Sequence, residues 1–266
     1  MKKIDIFNLC MSLVVFVGDI FYLFYGTLLF KTILSSMFVV LGVVNFVYVI
    51  KYKKTFNMFM LMMLLGLFFA MLGDVVLEIK FMIGAILFAV GHLFFLVSYI
   101  TTKKYCLKDL LISVCIFVPA TLIILFLPIF DFGGIMMQMV CVVYALIISL
   151  MTGKAIVNYI SDKSIFNLII MIGSCLFIFS DIMLLFNVFA DIPTRIMLVL
   201  CLVTYYPAEC FLAYSITKTE NNTAYSITKI ENNIADKEEN KSNRCPYCDC
   251  KIKADDIKCS SCGGKL

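Results

Sequence analysis

Five acids sit within or at the ends of strongly apolar stretches of this chain: Asp19, Asp74, Glu78, Asp181 and Glu209. In the same kind of surroundings stand Tyr206 and His92, the single histidine of the sequence. Ionising a carboxyl in hydrocarbon is costly, so acids placed there usually face a bundle interior and mark a functional path. Asp74 and Glu78 are four residues apart, hence on one face of a helix. Two close carboxyls in a poorly solvated site cannot readily both ionise. The pair is therefore expected to keep one proton, which is what a general acid needs. Gly18-Asp19, Gly73-Asp74 and Ser180-Asp181 each set a small residue beside the acid, which lets another helix backbone come close.

Each of these residues also has a plainer reading. Glu78 is near the end of its apolar stretch, where it either reaches water or joins the site. Asp19 is either a packing acid or a member of the site, and His92 either a helix-to-helix hydrogen bonder or a chemical group. Asp74 and Asp181 lie deeper and have no cation close in sequence, so they carry the chemical hypothesis.

The elements that must position these groups follow from composition. Hydrophobic residues make up 62% of the 266 and charged residues 15%, against roughly 45–50% and about 25% in a soluble domain. Apolar runs recur that are long enough to cross a hydrocarbon layer about 30 Å thick. The chain therefore reads as an all-α polytopic membrane protein, an eight-transmembrane-helix bundle over residues 1–216. The spans are expected at 6–26, 33–50, 56–77, 81–102, 110–130, 135–153, 165–187 and 196–215, joined by short connections as antiparallel hairpins. The first of them follows Lys2 and Lys3 and reads as a helix rather than a cleaved leader.

Orientation comes from the cations. Lys2, Lys3, Lys51, Lys53, Lys54, Lys103, Lys104, Lys108, Lys154 and Lys163 fall in one set of connections, and Lys31, Lys80 and Arg195 in the other. This bias puts both termini in the cytoplasm of a cell membrane. Asp19, Asp74 and Asp181 then lie roughly 10 Å below the outer surface, and His92 and Tyr206 roughly 16 Å below it, at 1.5 Å per helical residue. One narrow layer of polar groups predicts a single pocket open to the non-cytoplasmic side. The net charge of +4 gives no reason to expect a nucleic-acid partner.

After the last span the composition turns polar. Residues 213–223 (AYSITKTENNT) and 224–234 (AYSITKIENNI) form an eleven-residue tandem repeat. Two copies are too few for a solenoid, so residues 217–244 read as a polar linker. Residues 245–266 carry Cys245 and Cys248, then Cys259 and Cys262, two CxxC pairs suited to one tetrahedral zinc ion. A segment this short would take most of its folding free energy from the metal. Four protein ligands leave no open position, so this zinc ribbon is expected to be structural, with an unknown protein partner.

The order and spacing of several segments resemble the YhhN family of lysoplasmalogenases. These are GDVVL at 73–77, FMIGAILFAVGHLFF at 81–95, CLFIFSDIMLLFNVF at 175–189 and TYYPAE at 204–209, with Lys31 in LLFKTIL matching a lysine that opens the second span of the family. Thr32 replaces the proline expected after it, and Glu209 stands where glutamine is more usual. The resemblance covers about 5–216 and leaves the ribbon outside. It implies hydrolysis of the vinyl-ether bond of a lysophospholipid held in membrane lipid, giving a fatty aldehyde and a glycerophospho-base without a catalytic cofactor. Protonation of the vinyl β-carbon creates an oxocarbenium-like cation that water captures. Asp74 and Asp181 would share those tasks as two carboxyls meeting across the bundle, with His92 and Tyr206 orienting water or the leaving oxygen. Lys31 would hold the phosphate, with Glu78, Glu209 and Asp19 lining the substrate's path.

Three other functions compete. A transporter or lipid-binding protein could use the same acids for proton coupling, but no inverted repeat or matched broken helices are evident. An intramembrane aspartyl protease would need a Tyr-Asp pair ahead of Asp74, and there is none. A membrane part that only anchors the ribbon would leave the acids dispensable.

Overall fold

Thr27, Asn57 and Ser164 each accept a hydrogen bond from the backbone N–H three residues on, at 3.3, 3.1 and 3.3 Å. Such caps satisfy donors that a helix start leaves free, and here they begin three of the helices. The computed structural model describes residues 3–191 and 195–219. Among them the elements are α1 (Lys3–Tyr25), α2 (Leu28–Tyr48), α3 (Met58–Leu77), α4 (Phe81–Thr102), α5 (Leu107–Phe126), α6 (Ile135–Ser161), α7 (Ile165–Phe189) and α8 (Arg195–Ser215). A π-helical turn at Val49–Lys53 extends α2, and a short 3-10 turn at Ile216–Lys218 extends α8. All eight are long and apolar enough to cross a membrane. The protein is a multi-pass helical membrane protein.

Around the bundle α1, α2, α3, α4, α6, α7 and α8 follow one another and close on α1, while α5 is attached through α6. Half of the apolar stretch of α8 is buried against 17% of those of α1 and α5, so α8 is the most enclosed helix and those two are peripheral. Large apolar side chains such as Leu29, Phe24 and Leu111 remain exposed, as expected of surfaces solvated by lipid rather than water. Apolar burial gives little drive for helices to associate in lipid, so close backbone approach and polar ties matter more. A Cβ on Gly84 would lie 2.5 Å from the Leu77 backbone, and one on Gly91 3.2 Å from the Gly66 carbonyl oxygen. Glycine at these two places is what lets α3 and α4 touch. Asn8 and Asn45 exchange amide hydrogen bonds of 2.8 and 2.7 Å, and Asn45 also donates to the Ala213 carbonyl at 3.0 Å, tying α1, α2 and α8.

Of the boundaries that differ from expectation, three share a reason: polar residues there are buried and partnered. Helix α2 begins at Leu28 rather than 33 and takes in Lys31, and α6 continues past 153 through Lys154 to Ser161. Both lysines were assigned to connections because they are cations, yet both are buried. Lys154 Nζ reaches Asp109 Oδ2 at 3.1 Å and the Lys104 carbonyl at 2.9 Å. A buried charge is tolerable when it is paired and hydrogen-bonded, so neither lysine ends its helix. At the other end, residues 217–219 do not behave as a polar linker: Thr217 and Thr219 are buried, and Lys53 Nζ donates to the Thr217 carbonyl at 3.0 Å. The second repeat copy and the four expected zinc ligands, Cys245, Cys248, Cys259 and Cys262, lie outside the described residues.

Candidate functional site

Lys31 and Ser35 are one turn apart on α2 and point at the last turn of α3. There Lys31 Nζ lies 3.0 Å from Asp74 Oδ1 and 2.7 Å from Glu78 Oε1. The Ser35 hydroxyl donates to Asp74 Oδ2, and Tyr206 on α8 donates to the same oxygen at 3.2 Å. Asp74 thus receives an ammonium and two hydroxyls from two different helices, with its side chain 7% exposed. Between Asp74 and Glu78, where one shared proton is expected, the fold places the Lys31 ammonium as an ion-pair partner of each. Glu78 differs from Asp74 in access, being 43% exposed, and its other partner is Tyr22 at 3.4 Å.

Asp181 on α7 has different company. Tyr144 on α6 donates to Asp181 Oδ2 at 2.7 Å. His92 Nε2 is 3.8 Å from that oxygen, beyond hydrogen-bond reach. The other ring nitrogen, Nδ1, is 2.6 Å from the Phe88 carbonyl. A carbonyl only accepts, so Nδ1 carries the hydrogen and a neutral ring presents a lone pair at Nε2. Nε2 has no hydrogen-bond partner among the described residues. Phe177 stands edge-on to the imidazole with centroids 4.5 Å apart, and Tyr144 does so at 5.4 Å. Among the described residues no lysine or arginine forms an ion pair with Asp181.

Two cavities meet at this acid. One, of about 230 Å³, is the more polar of the two: Lys31, Asp74, Glu78, Ser180, Asp181 and Asn187 stand on its otherwise largely apolar wall. The second, of about 220 Å³, is walled almost wholly by apolar side chains of α4, α5, α6 and α7, with Tyr144 and Asp181 among them. Asp181 lines both, as do Leu77, Phe81, Phe88 and Leu184. A group at Asp181 can therefore have an apolar arm on one side and a polar head on the other.

The expected site residues divide accordingly. Asp74 and Asp181 line one cavity. No hydrogen bond joins them, however, so the idea of a hydrogen shared directly across the bundle is corrected to two carboxyls with separate partners. Tyr206 and His92 do not line the polar cavity; Tyr206 reaches Asp74 from behind it, and His92 lies 3.8 Å from Asp181. Asp19 and Glu209 are fully buried, with neither carboxyl oxygen of either residue hydrogen-bonded among the described residues, and neither lines the cavity. Ser35 and Tyr144 were missed. Ser35 could have been found from its spacing of four from Lys31, and Tyr144 from being the one hydroxylated aromatic in an otherwise apolar run. Among the described residues no group of acids, histidine and cysteines is arranged to hold a metal ion.

Comparison with curated proteins and with solved structures gave no match. A family model described as the YhhN family matches residues 12–216, a stretch that includes most of α1, all of α2 to α8 and every residue of the two cavities' walls. The chain belongs to the YhhN family.

Proposed function

We propose that the protein hydrolyses the vinyl-ether bond of a single-chain lysoplasmalogen. Membership of a family associated with hydrolase activity supports this. The observation that carries it is the position of Asp181 where an apolar cavity and a polar one adjoin. In such a lipid the vinyl ether is the junction between hydrocarbon chain and glycerophospho head. With the chain in the apolar cavity and the head beside Lys31, the reacting carbons come to Asp181.

Asp181 is the proton donor in this reading. Its carboxyl hydrogen passes to the vinyl β-carbon, and the ether oxygen's electrons form the oxocarbenium cation. Asp74 is held as the anion by Lys31, Ser35 and Tyr206, and it stabilises that cation across the cavity. Water adds to the cationic carbon and its proton returns to the Asp181 carboxylate. The hemiacetal then collapses to fatty aldehyde and free glycerol hydroxyl. Tyr144 occupies Oδ2 and leaves Oδ1 for the travelling proton. His92 is the positioning base behind it. Purified protein should release aldehyde from lysoplasmalogen, and Asp181→Asn should abolish release. Unchanged release by that variant would overturn the assignment.

Proton-coupled transport is the alternative, and the buried acids Asp19 and Glu209 favour it. Uptake into vesicles that is lost in Glu209→Gln, with no aldehyde formed by the wild type, would establish it. The lysine bias and the two CxxC pairs belong to the same proposal: cytoplasmic termini, and a tail that binds one zinc ion per chain, measurable by metal analysis of the purified protein.

A further inference from the structure

The Lys31 ammonium holds two anions in unequal ways. Asp74 is buried and is held by two hydroxyls as well. Glu78 is 43% exposed, follows the last residue of α3, and among the described residues has beyond Lys31 only the long contact to Tyr22. A carboxylate held by an ammonium at a partly exposed site is a weak, exchangeable partner, whereas a buried pair resists separation. The backbone at this corner is pinned, because Gly84 brings α4 against Leu77. Glu78 can therefore leave Lys31 by a change of rotamer alone, with no movement of the helices.

Charge balance inside the polar cavity makes that departure necessary for an anionic ligand. Lys31 is the one cation on its wall among the described residues, and it already meets two carboxylates, Asp74 and Glu78. A phosphate brought to Lys31 while Glu78 stayed would set two anions side by side on one ammonium. A phosphate has more acceptor oxygens than a carboxylate and is the stronger charge-assisted partner. Its approach also has to be driven from elsewhere, and the adjoining apolar cavity supplies that drive only to a ligand with a hydrocarbon chain.

We propose that Glu78 is an internal stand-in for the substrate phosphate: it occupies Lys31 in the ligand-free protein and is displaced by the phosphate of a chain-bearing lipid. This rests on the lysolipid reading above and names how that site is kept from small anions. Glu78 is then a specificity residue, which sets the threshold that chain burial must overcome.

The test uses the full chain in dodecyl maltoside and two saturated ligands that cannot be hydrolysed: a 1-O-alkyl glycerophosphocholine, and the 1-O-alkylglycerol that lacks its phosphate. Calorimetric titration should show Glu78→Gln and Glu78→Ala binding the phosphate-bearing ligand about tenfold more tightly than wild type, as expected for loss of one competing charge. The phosphate-free ligand should bind all three proteins alike. Equal tightening of both ligands, or weaker binding of the phosphate-bearing one, would overturn the proposal. Millimolar inorganic phosphate should fail to displace that ligand from wild type; displacement would show a general anion site and overturn the lipid assignment. If this affinity pattern holds while vinyl-ether lysolipid yields no aldehyde, the hydrolase reading fails and the displacement stands. Aldehyde release without the pattern gives the reverse.

Discussion

Asp74 and Asp181 are the same residue type on two helices, lining the same cavity, yet their partners differ. Asp74 is met by Lys31, Ser35 and Tyr206. Three donors, one of them charged, favour a fixed anion. Asp181 is met by a phenol at 2.7 Å and by an imidazole nitrogen at 3.8 Å, with an apolar cavity on one side. Nothing there favours the anion to the same degree. The contrast teaches that acids in the membrane are told apart by their partners and not by their depth, and it is the ground on which Asp181 is proposed as proton donor and Asp74 as counter-charge.

The sharpest way to break this contrast is to exchange the two roles. Asp181→Asn should cost aldehyde release by roughly 10²–10⁴-fold, the range for loss of a general acid, while titration with a saturated ether analogue shows binding intact. If Asp74→Asn produced the same loss and Asp181→Asn did not, the assignment of donor and counter-charge would be reversed. Next in size is Lys31→Met, which leaves Asp74 buried without its cation. Breaking a buried pair in this way typically costs about 3–5 kcal/mol, seen as a lower unfolding temperature. Adding Asp74→Asn to Lys31→Met should recover most of that loss. Failure of the recovery would mean that the two do not stabilise one another.

A smaller effect sharpens the Asp181 side. Tyr144→Phe removes one hydrogen bond of roughly 1 kcal/mol and should lower turnover about tenfold, with little change in affinity for the saturated analogue. An effect on affinity alone would make Tyr144 a wall of the apolar cavity and nothing more. Smallest of all, Ala145→Phe should narrow the apolar cavity. Turnover of long-chain lysolipid should fall severalfold while an octenyl analogue is spared, read as the ratio of their kcat/KM values. Equal loss for both chain lengths would place the hydrocarbon elsewhere.

Much of the architecture was legible in the residues, because in hydrocarbon each segment must satisfy its own backbone polar groups and therefore declares itself by length and apolarity. Eight spans were expected, and the described residues hold eight helices long and apolar enough to cross a membrane. The errors cluster at lysines. Lys31 and Lys154 were read as the edges of spans, and both proved to be interior, because the carboxylates that balance them, Asp74 with Glu78 and Asp109, sit on other helices. The buried Thr217 and Thr219 were missed for a similar reason. The polar composition says loop, while the Thr217 carbonyl is met by Lys53, more than 160 residues away in the chain.

At the site the division is the same. Residue types and their placement within apolar stretches singled out Asp74, Asp181, His92 and Tyr206 as candidates, since an ionisable group in hydrocarbon stands out wherever it occurs, whereas Lys31 was named only through the family resemblance. Their pairing was not available from one dimension. That Lys31 lies between Asp74 and Glu78, that Tyr144 and not Asp74 meets Asp181, and that Asp181 borders two cavities are decided by how α2, α3, α4, α6, α7 and α8 pack. Burial and charge are properties that a residue type makes costly in advance. Which neighbour offsets that cost is a matter of distance between helices remote in sequence, and only the folded bundle sets those distances.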